Sequence, residues 1–157
     1  MNPFTVRAGI IGVSTAAFLL GCAMSQAQMS AGSGDVVADR QRLMKLNGAN
    51  AKDLTDKVKA GQIEAMAVNA ETIAVNAQHI PMLFPKGSLT AKSKAKAEIW
   101  EKWPEFEAAA KNLETKAIEL RDAARAKDQP KVEAMMKDFG RQACGSCHTP
   151  FRQPQQK

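Results

Sequence analysis

"PKVEAMMKDFGRQACGSCHTPFR", Pro130 to Arg152, holds two of the three cysteines and one of the two histidines of a 157-residue chain. Val132, Met135, Met136, Phe139, Ala143, Cys144, Cys147, His148 and Phe151 recur at spacings of three and four, which lays them on one face of a helix. Asp128 is expected to cap that helix, and Pro130 falls in its first turn, where the missing N–H costs nothing. Cys144, Cys147 and His148 stand at i, i+3 and i+4, so all three project from the same side and can meet one side of a flat ring. Gly145 and Ser146 between them need only be small.

Cysteines this close serve a few chemistries. A structural zinc site needs about four ligands. With Cys22 placed in the amino-terminal export segment, only His79 remains outside the motif, and the set is one short. A thioredoxin-like pair follows a strand in an α/β chain, and no segment here alternates with the period of a strand. Cys-x-x-Cys-His is also the pattern of covalent haem attachment, in which both thiols add to vinyl groups and the histidine binds iron. A plain disulfide between Cys144 and Cys147, in a redox-inert bundle, is the remaining alternative.

Working back toward the amino terminus, the chain divides at clear punctuation. A first helix is expected from about Asp35 to Ala60, with Ser33 as cap and Gly61 as stop. Its stripe is Val36, Arg40, Leu43, Met44, Asn47, Ala51, Leu54 and Val58. A second, from about Gln62 to Ile80, turns Ile63, Met66, Ala70, Ile73, Ala77 and Ile80 inward and ends at Pro81. Residues 81–94 lose the pattern and read as a long crossover loop. A short turn around "AEIWEKW" leads to Pro104 and a third helix with Phe106, Ala110, Leu113, Ala117, Leu120 and Ala124 facing inward, ended by "AKDQP". With aromatics at 5% and no tyrosine, the chain is expected to be all-α, its four amphipathic helices forming one bundle over residues 35–153, followed by a 154–157 tail.

Residues 1–27 read as an export signal peptide: Arg7 precedes the uncharged run "AGIIGVSTAAFLLG", and small and polar residues follow. Cleavage after Ala27 leaves a periplasmic protein with a flexible 28–34 tail, whereas "LLGC" offers a lipoprotein alternative anchored to a membrane through Cys22. Loss of residues 1–27 removes one arginine and no acid, and takes the formal charge from +6 to +5. Lysines and acids are interspersed along helical faces, as in "AKDLTDKVKA", which suits solvated surface and not nucleic-acid binding.

"QRLMKLNGAN" in the first helix, "IPMLFP" closing the second, "AEIW" opening the third and "CGSCHTPFR" in the fourth occur together in an order that resembles the class II c-type cytochromes. That superfamily includes cytochrome c prime and the low-spin cytochrome c-556 type. The resemblance implies an antiparallel four-helix bundle carrying one haem c, with Cys144 and Cys147 as the attachment residues and His148 as the iron ligand. It implies Met44 as the second axial ligand and Arg40 beside a haem propionate; the bland alternative for Met44 is core filler. His79 has no ligand role in the family. Arg152, one turn beyond His148, either favours reduced iron electrostatically or is a cation at a helix end. Phe106, Phe139 and Trp100 are candidate walls for the haem, and Pro150 is expected to kink the helix and tilt His148. The implied function is single-electron transfer with redox partner proteins, without transformation of a substrate; the rival is a five-coordinate gas-binding protein of the cytochrome c prime kind. The first two helices of such bundles often pair, which makes a homodimer an expectation.

Overall fold

A computed structural model describes residues 33–154; the export signal of residues 1–27, Cys22 with its two processing routes, residues 28–32 of the tail and residues 155–157 lie outside the described residues. Its helices are α1 (Val36–Lys59), α2 (Ala67–His79), α3 (Glu98–Glu101), α4 (Trp103–Arg125), α5 (Gln129–Phe139) and α6 (Gly145–Phe151). Among the described residues there is no strand, only an isolated antiparallel bridge between Ala95 and Arg152.

The first helix is capped two residues beyond the expected Ser33, by Asp35. Asp35 Oδ1 accepts the amides of Val37 at 2.9 Å and Ala38 at 3.1 Å. Ser33 instead donates its own amide to the Asp39 carboxylate, so it braces the first turn without capping it. Gly61, at φ +68°, ends α1 as expected: its amide reaches Val58 O and that of Gln62 reaches Lys57 O, the paired bonds of a left-handed helix stop. Residues Glu64–Met66 form a 3₁₀ turn, so the second helix begins in a tighter coil before settling into α2. At the far end of α4 the same stop is made by Lys127, at φ 56°, and Asp128 then caps α5 by accepting the Lys131 amide.

The inward stripes of α2 and α4 are buried as the periodicity requires, from Ile63 through Ile80 and from Phe106 through Ala124. These two helices share the most extensive contact in the bundle, and both bury small residues, Ala70, Ala74 and Ala77 on α2 and Ala110, Ala117 and Ala124 on α4, which leave room for close backbone approach. The stripe of α1 is less complete: Arg40 and Leu54 are buried, whereas Val36, Leu43, Met44 and Asn47 stay half-buried, Met44 bordering a cavity and Asn47 accepting from Asn76 of α2.

The expected fourth helix runs without a gap from Gln129 to Phe151 but is not uniform. Residues Gly140–Cys144 form a π turn between α5 and α6, in which the Gly145 amide reaches back to Gly140 O. Pro150 sits inside α6, one residue before its last residue, Phe151. A π turn takes up one extra residue. An unbroken α-helix would aim Cys147 about 80° away from Phe139, and the extra residue brings the two within about 20°. Phe139 points into the core, so the π turn swings Cys147 and His148 inward with it.

Candidate functional site

The sequence places polar and sulfur-bearing side chains on two inner faces, and the bundle brings them to one cavity of about 470 Å³. That is within the range of about 300–1,000 Å³ found for small-molecule and cofactor sites. Met44 and Arg40 line it from α1, Cys147 and His148 from α6, and Arg152 from the residue that ends α6. Cys144, one turn earlier, is half-buried against the core beside them, and the two thiols are not joined to each other. His79 takes no part; it is exposed, and its Nδ1 donates to Val75 O at 2.8 Å.

The walls are apolar, with one correction to the expected set. Phe106 lines the cavity, but Phe139 and Trp100 do not: Phe139 packs in the core, and Trp100 is held away by donating Nε1 to Phe84 O and Pro85 O at 3.0 and 3.1 Å. Their places are taken by Phe84 and Phe151, which meet Phe106 edge-on at ring separations of 4.8 and 5.5 Å. Sequence periodicity missed Phe84 because it lies in the crossover loop. The only signal available was its neighbourhood, an aromatic between two prolines after a helix stop.

Electrostatics in the cavity are lopsided. Arg40 is 5% exposed and none of its hydrogen-bond partners is a carboxylate. Its guanidinium donates to Leu83 O at 2.5 Å, to Ser88 O at 3.2 Å, to Ser88 Oγ, and to Ser93 Oγ at 3.3 Å. It also lies 4.2 Å from the centre of the Phe84 ring. Burial pushes its pKa down, opposed only by the field of Asp35, yet an arginine so placed keeps its charge. The result is a buried cation facing an apolar cavity with no acid beside it.

The α6 groups are tuned in the same direction. Burial, and then the Arg152 charge, holds the His148 pKa below its ordinary value, which keeps the imidazole neutral and its nitrogen lone pair free. Burial and the neighbouring Cys144 push the Cys147 thiol up to about 11, and burial raises Cys144 as well, so both are protonated at neutral pH. Among the described residues no group of three His, Cys, Asp or Glu is gathered closely enough to hold a metal ion by itself.

Behind α6, the carboxamide of Asn112 on α4 donates to Gln142 O at 2.7 Å and to Ser146 Oγ at 3.2 Å. Gln142 lies in the π turn and Ser146 between the two cysteines, so one side chain ties both to α4. Nothing in the pattern of α4 marked Asn112, which is an ordinary polar residue on a helix flank.

Comparison with known proteins agrees with this arrangement. The family model described as Cytochrome C' matches residues 35–152. Cytochrome c-556 of Agrobacterium fabrum is 38% identical over 144 residues, covering 88% of this chain and 92% of that protein. Cytochrome c' of Pararhodospirillum photometricum is 35% identical over 118 residues, 73% of this chain and 93% of that protein. Among solved structures, the nitric oxide complex of a leucine-to-alanine variant of cytochrome c prime from Alcaligenes xylosoxidans covers 78% of this chain and 96% of its own, at 25% identity and a TM-score of 0.68.

Proposed function

The chain belongs to the Cytochrome C' family, the class II c-type cytochromes, and from that premise we propose that it is a periplasmic one-electron carrier with methionine and histidine as axial ligands. Members of this family are haem proteins of electron transfer or gas binding, and their haem c is covalently attached. The observation that carries the choice is Met44: its side chain lines the same cavity as His148, one contributed by α1 and the other by α6. The 38% identity to a cytochrome c-556 over most of the chain supports the same branch.

The residues present fit the group. Cys144 and Cys147 are the residues that would hold it through thioether bonds, which removes the titration of both thiols. Bound haem c supplies a one-electron iron couple. His148 presents a neutral imidazole nitrogen, and Met44 a thioether sulfur, a ligand pair suited to both oxidation states and to a raised reduction potential. Arg40 supplies a buried positive charge that a propionate would neutralise. Phe84, Phe106 and Phe151 keep water out of the apolar cavity, and the close-packed bundle limits rearrangement between the two charge states. Electron carriage without transformation of a substrate is therefore the proposed role.

Residues 1–27 are proposed as the export signal and 35–153 as the cytochrome domain, with Cys22 lipidation as the competing route; no helix of the described residues is long and apolar enough to cross a membrane. Val68 and Val75 on α2 and Leu46 on α1 are exposed apolar residues on the helices expected to pair in a homodimer.

The deciding experiment is the visible and near-infrared spectrum of the holoprotein and of Met44→Leu, which roughly conserves volume. The wild type should be low-spin in both oxidation states and bind carbon monoxide slowly, since the gas must displace a packed side chain. Met44→Leu should turn high-spin, bind carbon monoxide much faster and fall in reduction potential. A wild type that is already high-spin, with a spectrum Met44→Leu leaves unchanged, favours the gas-binding reading.

A further inference from the structure

Four cations, Arg40, Lys45, Lys94 and Arg152, line the cavity, and no acid does. Arg40 is buried, while Lys45 and Lys94 are exposed and therefore stand at the mouth. Two stretches of chain build that mouth, and neither carries an acid where it passes it. Between Asp39 and Asp53 the α1 sequence holds Arg40, Arg42, Lys45 and Lys52; between Glu71 and Glu98 it holds Lys86, Lys92, Lys94 and Lys96. The two are stitched together at the mouth by Gln41 Nε2 donating to Lys92 O at 3.3 Å.

Away from the mouth, pairing is common among the described cations, with Lys59, Lys102, Lys131 and Lys137 the exceptions. Lys52, Lys57, Lys111, Lys116, Arg121, Arg125, Lys127 and Arg141 each have a carboxylate within 3.0 Å. At the mouth, no carboxylate of the described residues forms a salt bridge with Lys45, Lys92, Lys94, Lys96 or Arg152. At the start of α1, Asp35 feels the charge of Lys92 without a salt bridge to it, and Asp39 is already held by Arg42 and Ser33. Like charges left unpaired around an apolar opening repel one another, and an anionic partner relieves that repulsion while being steered to the opening.

We propose that the lysine-rimmed mouth, centred on Lys45 and Lys94, is the docking surface for an acidic protein electron-transfer partner. The proposal rests on the electron-carrier reading. A protein fits better than a membrane surface because the unpaired charges surround the opening of the cavity, where a partner's redox group must come close, and a bilayer brings no electron acceptor there.

The test uses the reduced holoprotein in rapid-mixing experiments with two small oxidants. Ferricyanide, an anion, takes one electron from the ferrous protein and leaves as ferrocyanide; tris(phenanthroline)cobalt(III), a cation, does the same with opposite charge. The ferricyanide rate should fall as salt rises, and Lys45→Glu/Lys94→Glu should lower it about tenfold or more at low ionic strength while speeding the cobalt complex. Lys59→Glu/Lys131→Glu, an equal charge change at the other end of the bundle, should leave both rates nearly unchanged. Equal effects from the two double variants would mean that only net charge matters, and would overturn the proposal. Poly-L-glutamate should inhibit the ferricyanide reaction of the wild type and not that of Lys45→Glu/Lys94→Glu. Occlusion by phosphatidylglycerol vesicles without inhibition by poly-L-glutamate would overturn it in favour of a membrane surface. Failure of the electron-carrier reading is separately visible as a high-spin spectrum that Met44→Leu leaves unchanged.

Discussion

Arg40→Met isolates the buried cation. The substitution keeps an unbranched stem of similar reach and deletes the charge, the contact over Phe84 and the guanidinium hydrogen bonds to Leu83, Ser88 and Ser93. Two contributions to its cost can be separated. Hydrogen bonds from a charged donor contribute about 1.5–3 kcal/mol each, but burying a guanidinium costs several kcal/mol, so the loop contacts alone leave a net loss of about 1–2 kcal/mol. Ser88 and Ser93 also keep other partners, since Ser88 Oγ donates to Pro85 O and Ser93 Oγ accepts the Ala95 amide. If Arg40 in addition neutralises an anionic group in the cavity, its removal strands that charge, and breaking a buried pair costs about 3–5 kcal/mol. Urea unfolding of the holoprotein followed by helical circular dichroism distinguishes the two values. The expected result is a loss of about 3–5 kcal/mol together with a lower reduction potential, because a positive charge that favours reduced iron is gone. Arg40→Lys should recover part of the potential while leaving Ser88 and Ser93 amide exchange accelerated, since a point charge cannot reproduce the fork. A loss of about 2 kcal/mol or less in Arg40→Met with an unchanged potential would refute the counter-charge role and leave Arg40 as a loop anchor only.

Asn112→Ala should remove the brace on Gln142 and Ser146, costing about 1 kcal/mol and lowering the fraction of chains that carry covalent haem, measured by haem stain against total protein. An unchanged haem fraction with the same loss of stability would show that the brace serves the fold and not the attachment. Glu114 accepts from Lys111 and Gln78, and these bonds hold its carboxyl below the usual range. A folded-state pKa below the unfolded one means that the stabilisation is full above the unfolded value, about 4.3, and is lost as pH falls through the folded value. Glu114→Gln should therefore flatten the acid side of the stability curve and leave its slope between about pH 6 and 8 unchanged; an acid limb as steep as that of the wild type would contradict the assignment.

What could be read from the sequence was whatever is local along a helix. The stripes of α2 and α4, the Gly61 stop and the Asp128 cap follow from local pattern and are found in the bundle, and of the Cys144, Cys147 and His148 motif the cavity is lined by Cys147 and His148. Ser33 and Asp35 are both acceptable cap residues, and only the backbone path, which leaves Asp35 in the extended conformation, decides between them. The crossover loop was legible as a loop and nothing more. Its course is held by Arg40, more than forty positions away in the chain, which bonds Leu83, Ser88 and Ser93 and so accompanies the placing of Ser93 and Phe84 on the cavity wall.

The π turn is the more instructive omission, because it is invisible to the motif it serves. Residues 144, 147 and 148 keep their mutual spacing whether or not an extra residue is accommodated before them, so the motif alone cannot say where it points. Only the phase relative to Val132 and Phe139 carries that information, and an unbroken helix gives the wrong phase by most of a right angle. Reading residues 132–151 as a single stripe happened to name the right inward residues because a stripe about 100° wide tolerates that error. The same tolerance explains why Phe139 was mistaken for a cavity wall: it shares its direction with Cys147, but it lies about two turns further down the helix, in the closed part of the core. Direction around a helix axis was recoverable from periodicity, whereas position along it relative to the cavity required the fold.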